Sequence, residues 1–103
     1  MELSEIDAML EETGYPVAYQ SFREPQAMPY IAYTVPFEFH FFADNRVHTK
    51  IKHLQIELYT SRKDPVAETI LEAILEVHGL AYEKSETYID EEFMHQTIYE
   101  SEV

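Results

Sequence analysis

Two strand-like stretches dominate the centre of the sequence, YIAYTVPFEFHFF at residues 30–42 and VHTKIKHLQIELYT at residues 47–60. Between positions 37 and 41, phenylalanines alternate with polar residues, which is the period of a strand that has one apolar face. Asp44-Asn45, between the two stretches, supplies residue types that favour turns. The pattern predicts two long antiparallel strands joined as a β-hairpin.

The returning strand changes phase partway along its length. Its apolar residues occupy odd positions at Val47 and Ile51 and then even positions from Leu54 to Leu58. Because side chains alternate strictly along a strand, the slip near Lys52-His53 has two explanations. Either the strand contains a bulge there, or the hairpin has a distal arm whose apolar face lies against something other than the domain's own core. We expect a partner subunit to cover such a face.

Helical patterns stand on both sides of this hairpin. Ser4 followed by Asp7 fits an N-cap and predicts a helix of about ten residues that stops near Gly14. Asp64-Pro65 predicts the start of a second helix, because an acidic N-cap precedes a proline at the first helical position. Apolar residues then keep helical spacing until Gly79.

A second hairpin is predicted from residues 80–89 and 93–99, with Asp90-Glu91 at its turn. The sequence shows neither an internal repeat nor a linker, so we expect a single α+β domain over residues 1–103. Its expected architecture is a short N-terminal helix, a mostly antiparallel, curved sheet of roughly four to five strands with a long β-hairpin, and a second helix packed on one sheet face. The expected order is approximately α-β-β-β-α-β-β.

Composition excludes several classes of protein. With 46% hydrophobic and 14% aromatic residues, a chain of 103 residues can form one packed core. The absence of Cys excludes a disulfide scaffold and a thiolate metal site. The first residues lack the basic and apolar regions of a secretory signal, and no apolar run reaches the roughly 18 residues that span a bilayer. We expect an intracellular protein without a membrane segment.

Charge is both strongly negative and unevenly distributed. The formal net charge of −13 makes binding to nucleic acid or to anionic membranes unfavourable. Five of the seven Lys and Arg residues stand between Arg46 and Lys63. Glu68, Glu72 and Glu76 follow at i,i+4 spacing on what we expect to be the outer side of the second helix. This row is either a solvated helix face or a docking surface for a basic partner.

The inventory of residues argues against enzymatic chemistry. Gly14 and Gly79 are the only glycines, which excludes a phosphate-binding loop and a dinucleotide-binding motif, and the HExxH and GxSxG motifs are absent. His40, His48 and His53 lie near the hairpin, but His48 and His53 differ in strand parity and face apart unless a bulge realigns them. We expect no enzymatic activity, no cofactor, no metal and no small-molecule ligand.

Aromatic residues are concentrated in the first long strand. Six of them fall within the thirteen residues from Tyr30 to Phe42. An ordinary core accounts for most of them, whereas Phe42 and one or two tyrosines are expected to be exposed. Exposed aromatic residues at a hairpin tip are typical anchors of protein interfaces.

The pattern as a whole resembles a family of phage proteins. Its parts are PYIAY at residues 29–33, the long hairpin, LQIELYT at 54–60, KDP at 63–65 opening a helix, and a final strand FMHQTIY at 93–99. In element order, over most of the chain, this is similar to the small tail completion or tail terminator (head–tail joining) proteins of long-tailed phages and prophages. The resemblance implies an α+β fold with a curved sheet, no cofactor and no catalytic residue.

The same resemblance implies a ring, commonly a hexamer, that caps the tail tube and joins the tail to the head. The partners would be further copies of the chain, the tail tube and the head connector proteins. The location would be the host cytoplasm during assembly and then the virion. A ring needs two different patches on each subunit, and segregated charge supplies them. The expected interface residues are Phe42, Arg46, Lys50, Lys52, Glu68, Glu72, Glu76, Asp90 and Glu91.

Two other classes of function compete with this interpretation. An acidic protein can mimic DNA and occupy the nucleic-acid site of a host enzyme, and the acidic row on the second helix and the residues Asp90 to Glu92 would serve that purpose. A hydrolase that uses carboxylates or a histidine-bound metal is the third class.

Overall fold

The computed structural model describes residues 1–43 and 46–103, and within these ranges the side chains of residues 42, 43 and 47–49 are not described. The predicted turn at Asp44-Asn45 lies outside the described residues. Within these ranges, the helices and strands follow one another as α1 (Leu3–Glu11), β1 (Val17–Tyr19), β2 (Tyr30–Ala43), β3 (Arg46–Thr60), α2 (Pro65–Val77), β4 (Glu83–Ile89) and β5 (Met94–Glu102). A 3-10 turn, Asp90–Glu92, lies between the last two strands.

The five strands form one open, mixed sheet in the order β1-β2-β3-β5-β4. The short strand β1 is parallel to β2, and every other neighbouring pair is antiparallel. The helix α2 follows the third strand, as the sequence predicts, and the α+β class is confirmed. Among the described residues, no helix is long and apolar enough to cross a bilayer.

Local sequence explains where the helices begin and end. The Asp64 carboxylate accepts a hydrogen bond from the Ala67 backbone N–H at 3.1 Å, and Pro65 is the first helical residue of α2. Gly79 follows the helix with φ at 74°, a left-handed conformation that glycine adopts most readily. The prediction that Ser4 caps α1 is wrong, because α1 begins at Leu3 and the Glu5 carboxylate accepts the Glu2 backbone N–H at 2.9 Å.

Both helices bury apolar residues against the same face of the sheet. The buried cluster joins α1, α2, β2, β3 and β5, and its largest members are Ile6, Met9, Leu10, Ile31, Tyr33, Leu54, Ile56, Leu58, Leu71, Leu75 and Tyr99. Each such side chain contributes about 1.5 to 3 kcal/mol relative to exposure. The Tyr33 hydroxyl also donates a hydrogen bond to the Asp7 carboxylate at 3.0 Å, which fixes α1 to β2. The face of β3 formed by Leu54, Ile56 and Leu58 is therefore the core face.

A bulge in β2 turns the second half of that strand over. Thr34 is paired with Gln55 and Phe37 with His53, so three steps on β2 match two steps on β3. The extra residue lies at Val35-Pro36, where a proline is tolerated because the ladder is already interrupted. Before the bulge, the side chains of β2 alternate between the two faces, and those at odd positions point toward the helices. After it, Phe37 stands opposite His53, on the other face of the sheet.

The strand β3 itself runs through Lys52-His53 without a bulge. It pairs with β5 from Thr60 as far as His53, and Lys52 then exchanges two backbone hydrogen bonds of 2.9 Å with Val103. Beyond that point β3 pairs with β2 alone. Residues 37–43 and 46–52, here called the arm, therefore form a two-stranded extension of a molecule that measures 51 × 28 × 23 Å. Of the two explanations for the phase slip, the distal arm is confirmed.

Candidate functional site

The arm presents three phenylalanines on one face. Phe37, Phe39 and Phe41 have exposed fractions of 47%, 44% and 56%. The rings of Phe37 and Phe39 meet edge to face at 5.1 Å, and the Phe37 ring stacks on the His53 ring at 4.5 Å. The expectation that an ordinary core hides most of these aromatics is wrong for all three, because the bulge aims them away from the helices. Among the described residues, no other layer covers this face.

The opposite face of the arm is polar and mixed in charge. Glu38 lies across from Lys52, and His40 lies across from Lys50. The His40 ring N–H donates to the Glu38 carboxylate at 3.2 Å, and this hydrogen bond, together with the nearby Lys52 charge, lowers the pKa of Glu38. Lys50 is exposed, as is Arg46 near the end of the arm. Of the predicted interface residues, Phe42 has a side chain outside the described part.

Charge separates the arm from the rest of the chain. The arm, residues 37–43 and 46–52, contains three basic side chains and one acidic side chain, a formal charge of +2, so the rest of the chain carries −15 and the two parts sum to the net −13. An acidic partner surface therefore attracts the arm, whereas a basic partner surface attracts the rest of the molecule. This asymmetry was visible in the sequence, whereas the separation of the phenylalanines from the core was not.

The acidic row on α2 is not the outer helix face that the sequence predicts. Glu68 is only 3% exposed, and its Oε1 atom lies 2.8 Å from the Lys63 Nζ and 2.6 Å from the Lys84 Nζ. Glu72 lies 2.9 Å from the Lys84 Nζ and accepts a hydrogen bond from the Tyr99 hydroxyl at 2.7 Å. The prediction is wrong because Lys63 and Lys84 come from outside the helix and draw two of its three carboxylates toward the sheet.

These ion pairs extend into a larger group, here called the ion-pair cluster, of Lys63, Glu68, Glu72, Lys84 and Glu86. The hydrogen bond with Glu68 raises the pKa of Lys84. The hydrogen bond from Lys63 lowers the pKa of Glu86, with a further contribution from His95 at 3.0 Å. The cluster holds α2 against β4 and β5, and its lysines and carboxylates neutralise most of one another's charge.

The cluster also contains three groups that could bind a metal ion. Ligand atoms of Glu68, Glu86 and His95 lie within 4.8 Å of one another. Lys63, however, pairs with both of these carboxylates, so its ammonium group takes the place between them that a cation would need. The histidines considered from the sequence do not meet: His40 and His53 lie on opposite faces of the arm, and the side chain of His48 is outside the described residues.

The predicted acidic turn is exposed. Asp90, Glu91 and Glu92 form the 3-10 turn between β4 and β5, and Phe93 follows them with 74% of its surface exposed and φ at 51°. This turn is adjacent to the paired residues Thr60 and His95, at the end of the sheet opposite to the arm. Its three carboxylates make no ion pair among the described residues.

A cleft of about 660 Å³ opens at the base of the arm, where β3 and β5 end their pairing. Leu80, Tyr82 and Val103, which pack against the core, give it an apolar floor. Its complete lining, here called the acidic cleft, is formed by Met1, His53, His78, Gly79, Leu80, Ala81, Tyr82, Glu83, Glu100, Ser101, Glu102 and Val103. Three of these residues are acidic and, among the described residues, no Lys or Arg is included.

The acidic cleft was not predicted from the sequence. Its lining comes from four separate parts of the chain, and no local pattern brings them together. Glu100 lies 3.4 Å from the His53 ring, while Glu83 and Glu102 are exposed at the rim. The one signal in the sequence is the pair of acidic residues Glu100 and Glu102, which local patterns do not connect with Glu83.

Comparison with known proteins adds no assignment: the chain matches no protein-family model, and no curated protein is significantly similar to it.

Proposed function

We propose that this chain is a non-enzymatic assembly subunit whose arm binds another copy of the same chain. The proposed assembly is a ring of the tail completion or tail terminator kind, which caps a phage tail tube and joins it to the head. The observation that carries the proposal is the row Phe37, Phe39 and Phe41, exposed on an arm that extends beyond the core. Exposed aromatic residues on a projecting element are typical of interfaces.

The free energy available from the arm is moderate. Full burial of a phenylalanine side chain contributes about 1.5 to 3 kcal/mol, so three rings that are about half exposed offer roughly 3 kcal/mol together. Association costs about 4 to 15 kcal/mol in lost freedom of motion. The phenylalanines alone would not hold two copies together, and electrostatic attraction and ring closure must add to them. In a closed ring every subunit makes two such contacts, so the ring is more stable than an open chain of the same subunits.

The charge distribution favours a head-to-tail contact over a symmetric one. Two arms placed against each other would bring like charges together, whereas an arm with charge +2 is attracted to a body with charge −15. A contact between two different patches repeats from copy to copy and closes into a ring or extends as a filament. In a ring of this kind, the negative charge of the bodies would repel DNA that passes through the centre.

The proposal is tested by the size of the protein in solution and by its binding to tail parts. Sedimentation velocity at low and at high salt should show oligomers that a Phe39→Ser, Phe41→Ser double variant loses. Tyr88→Ser is the matched control, since Tyr88 is exposed to a similar extent, 49%, but lies on β4. Electron microscopy should show rings that bind purified tail tubes. A wild-type protein that stays monomeric at high concentration and binds neither tail tubes nor head connectors would refute the proposal.

The DNA-mimic alternative has less support from the geometry. Glu68 and Glu72, two of the three carboxylates in the row that it would use, are paired with lysines in the ion-pair cluster. The exposed carboxylates of Asp90 to Glu92 remain, but three residues on a turn reproduce little of a phosphate backbone. Salt-sensitive capture of a purified DNA-binding enzyme would favour this alternative over assembly.

A further inference from the structure

We infer that the acidic cleft is the surface that receives the arm of the next copy. This inference rests on the proposed function, and it specifies the second of the two patches that a head-to-tail contact requires. The sequence left the choice open between the acidic row on α2 and the acidic turn at Asp90 to Glu92. The structure offers a third surface that fits the arm better than either.

Shape is the first reason. The arm carries projecting aromatic rings, and the acidic cleft is a concave surface of about 660 Å³ with an apolar floor at Leu80, Tyr82 and Val103. Clefts that bind apolar groups in proteins measure roughly 300 to 1,000 Å³. The turn after β4 itself presents an exposed ring, Phe93, and none of its residues lines either of the two clefts.

Charge is the second reason. Glu83 and Glu102 are exposed at the rim of the acidic cleft, and no ion pair neutralises them within the described part of the chain. Arg46 and Lys50 are exposed on the arm. By contrast, two of the three carboxylates of the α2 row, Glu68 and Glu72, are paired with Lys63 and Lys84. A second cleft, of about 390 Å³ and lined by the loop from Gln20 to Gln26, contains both Arg23 and Glu24 and so does not select a basic partner.

Position is the third reason. The acidic cleft includes His53, the residue at which the arm leaves the body. A subunit's own arm is held in the β2–β3 ladder and contributes none of its residues to the lining of the cleft, so the occupant must come from another copy. Each copy would then insert its arm at the base of its neighbour's arm. That contact joins two different patches and therefore repeats around a ring.

Disulfide trapping tests this contact directly, because the chain contains no Cys. The test variant carries Phe41→Cys on the arm and Ala81→Cys in the acidic cleft, both at exposed positions. Under mild oxidation we expect a ladder of covalent dimers, trimers and larger species on a non-reducing gel. The comparison variant combines Phe41→Cys with Phe93→Cys at the acidic turn, and it should give no ladder. The variant with Phe41→Cys alone can form only covalent dimers, and it does so only where the arms of two copies contact each other symmetrically.

Each result decides between the possibilities. A ladder only from the Phe41 and Ala81 pair supports the inference. A ladder from the Phe41 and Phe93 pair, or covalent dimers from Phe41→Cys alone, would overturn it while leaving self-assembly through the arm intact. If no variant forms covalent species and sedimentation shows a wild-type monomer, both the inference and the proposed function fail. If sedimentation shows oligomers but the cleft pair does not cross-link, the inference alone fails.

A charge exchange gives a second, independent measurement. Lys50→Glu or Glu83→Lys alone should weaken self-association roughly tenfold, and the two substitutions in one chain should restore part of the loss, because the attraction is then re-formed with reversed signs. Glu24→Lys is the control, since it changes the net charge of the chain as Glu83→Lys does but lies outside the acidic cleft. Equal effects of Glu24→Lys and Glu83→Lys would show that net charge, and not the cleft, controls assembly.

Discussion

Replacement of Lys84 by Met should destabilise the fold more than the same change at Lys63. The Lys84 Nζ lies 2.6 Å from Glu68 and 2.9 Å from Glu72, and the Glu68 side chain is only 4% exposed. Removal of one partner from a fully buried ion pair costs about 3 to 5 kcal/mol. Here Lys63 would still contact Glu68, and the Lys84 side chain is 31% exposed, so we expect a loss of about 2 kcal/mol.

The loss would be measured by urea denaturation followed by circular dichroism, at two protein concentrations so that assembly does not contribute. Lys63→Met is the matched control, because Lys63 is 48% exposed and its removal leaves Lys84 on Glu68, so we expect a clearly smaller cost than for Lys84→Met. With Glu68→Gln already present, Lys84→Met should cost about 1 kcal/mol less than in the wild type. Equal costs for the two lysines, or no dependence on Glu68, would refute the argument.

Three further outcomes follow from local structure. Asp64→Ala should cost about 1 kcal/mol in urea denaturation, because the backbone N–H of Ala67 loses its acceptor, and a loss near zero would mean that water replaces the cap. Gly79→Ala should also cost about 1 kcal/mol, because Gly79 has φ at 74°, which alanine adopts less readily; an added Cβ would meet no atom within 4 Å, so steric contact adds nothing. An unchanged midpoint of urea denaturation would contradict this. The pKa of Glu86 is lowered from 4.5 by Lys63, so its stabilising contribution is present above pH 4.5 and is lost as the pH falls through the lowered value. In the acid unfolding of Lys63→Met this component should be smaller, because only the contribution from His95 is left, and identical pH profiles would contradict the assignment.

Much of the fold could be predicted because its determinants are local. The start of α2 depends on Asp64-Pro65, and its apolar spacing identifies the buried face that contains Leu71 and Leu75. The alternation of phenylalanines between positions 37 and 41 was sufficient to predict a strand, because a strand's period is visible in neighbouring residues. The phase slip in β3 similarly indicated either a bulge or a distal arm, and only the pairing partners decided between the two.

The candidate site could be predicted only in part, since it depends on contacts between distant residues. The segregation of positive charge around Arg46 and Lys50 is a property of the sequence and survives in the structure. Glu68 kept its expected helical position but not its expected exposure, because Lys84 approaches from β4, sixteen residues along the chain. Helical spacing alone cannot reveal a cation that arrives from another element.

The sequence by itself therefore determined the types of the elements, their approximate order and the acidic character of the chain. The tertiary structure alone decided which face of the sheet each residue occupies. One extra residue at Val35-Pro36 reverses the side-chain phase of Phe37, Phe39 and Phe41, since alternation has a period of two, and so moves these rings from the core side to the open side. The acidic cleft likewise exists only after β3, β5 and the segment after α2 have been brought together, because its floor and rim share no local pattern.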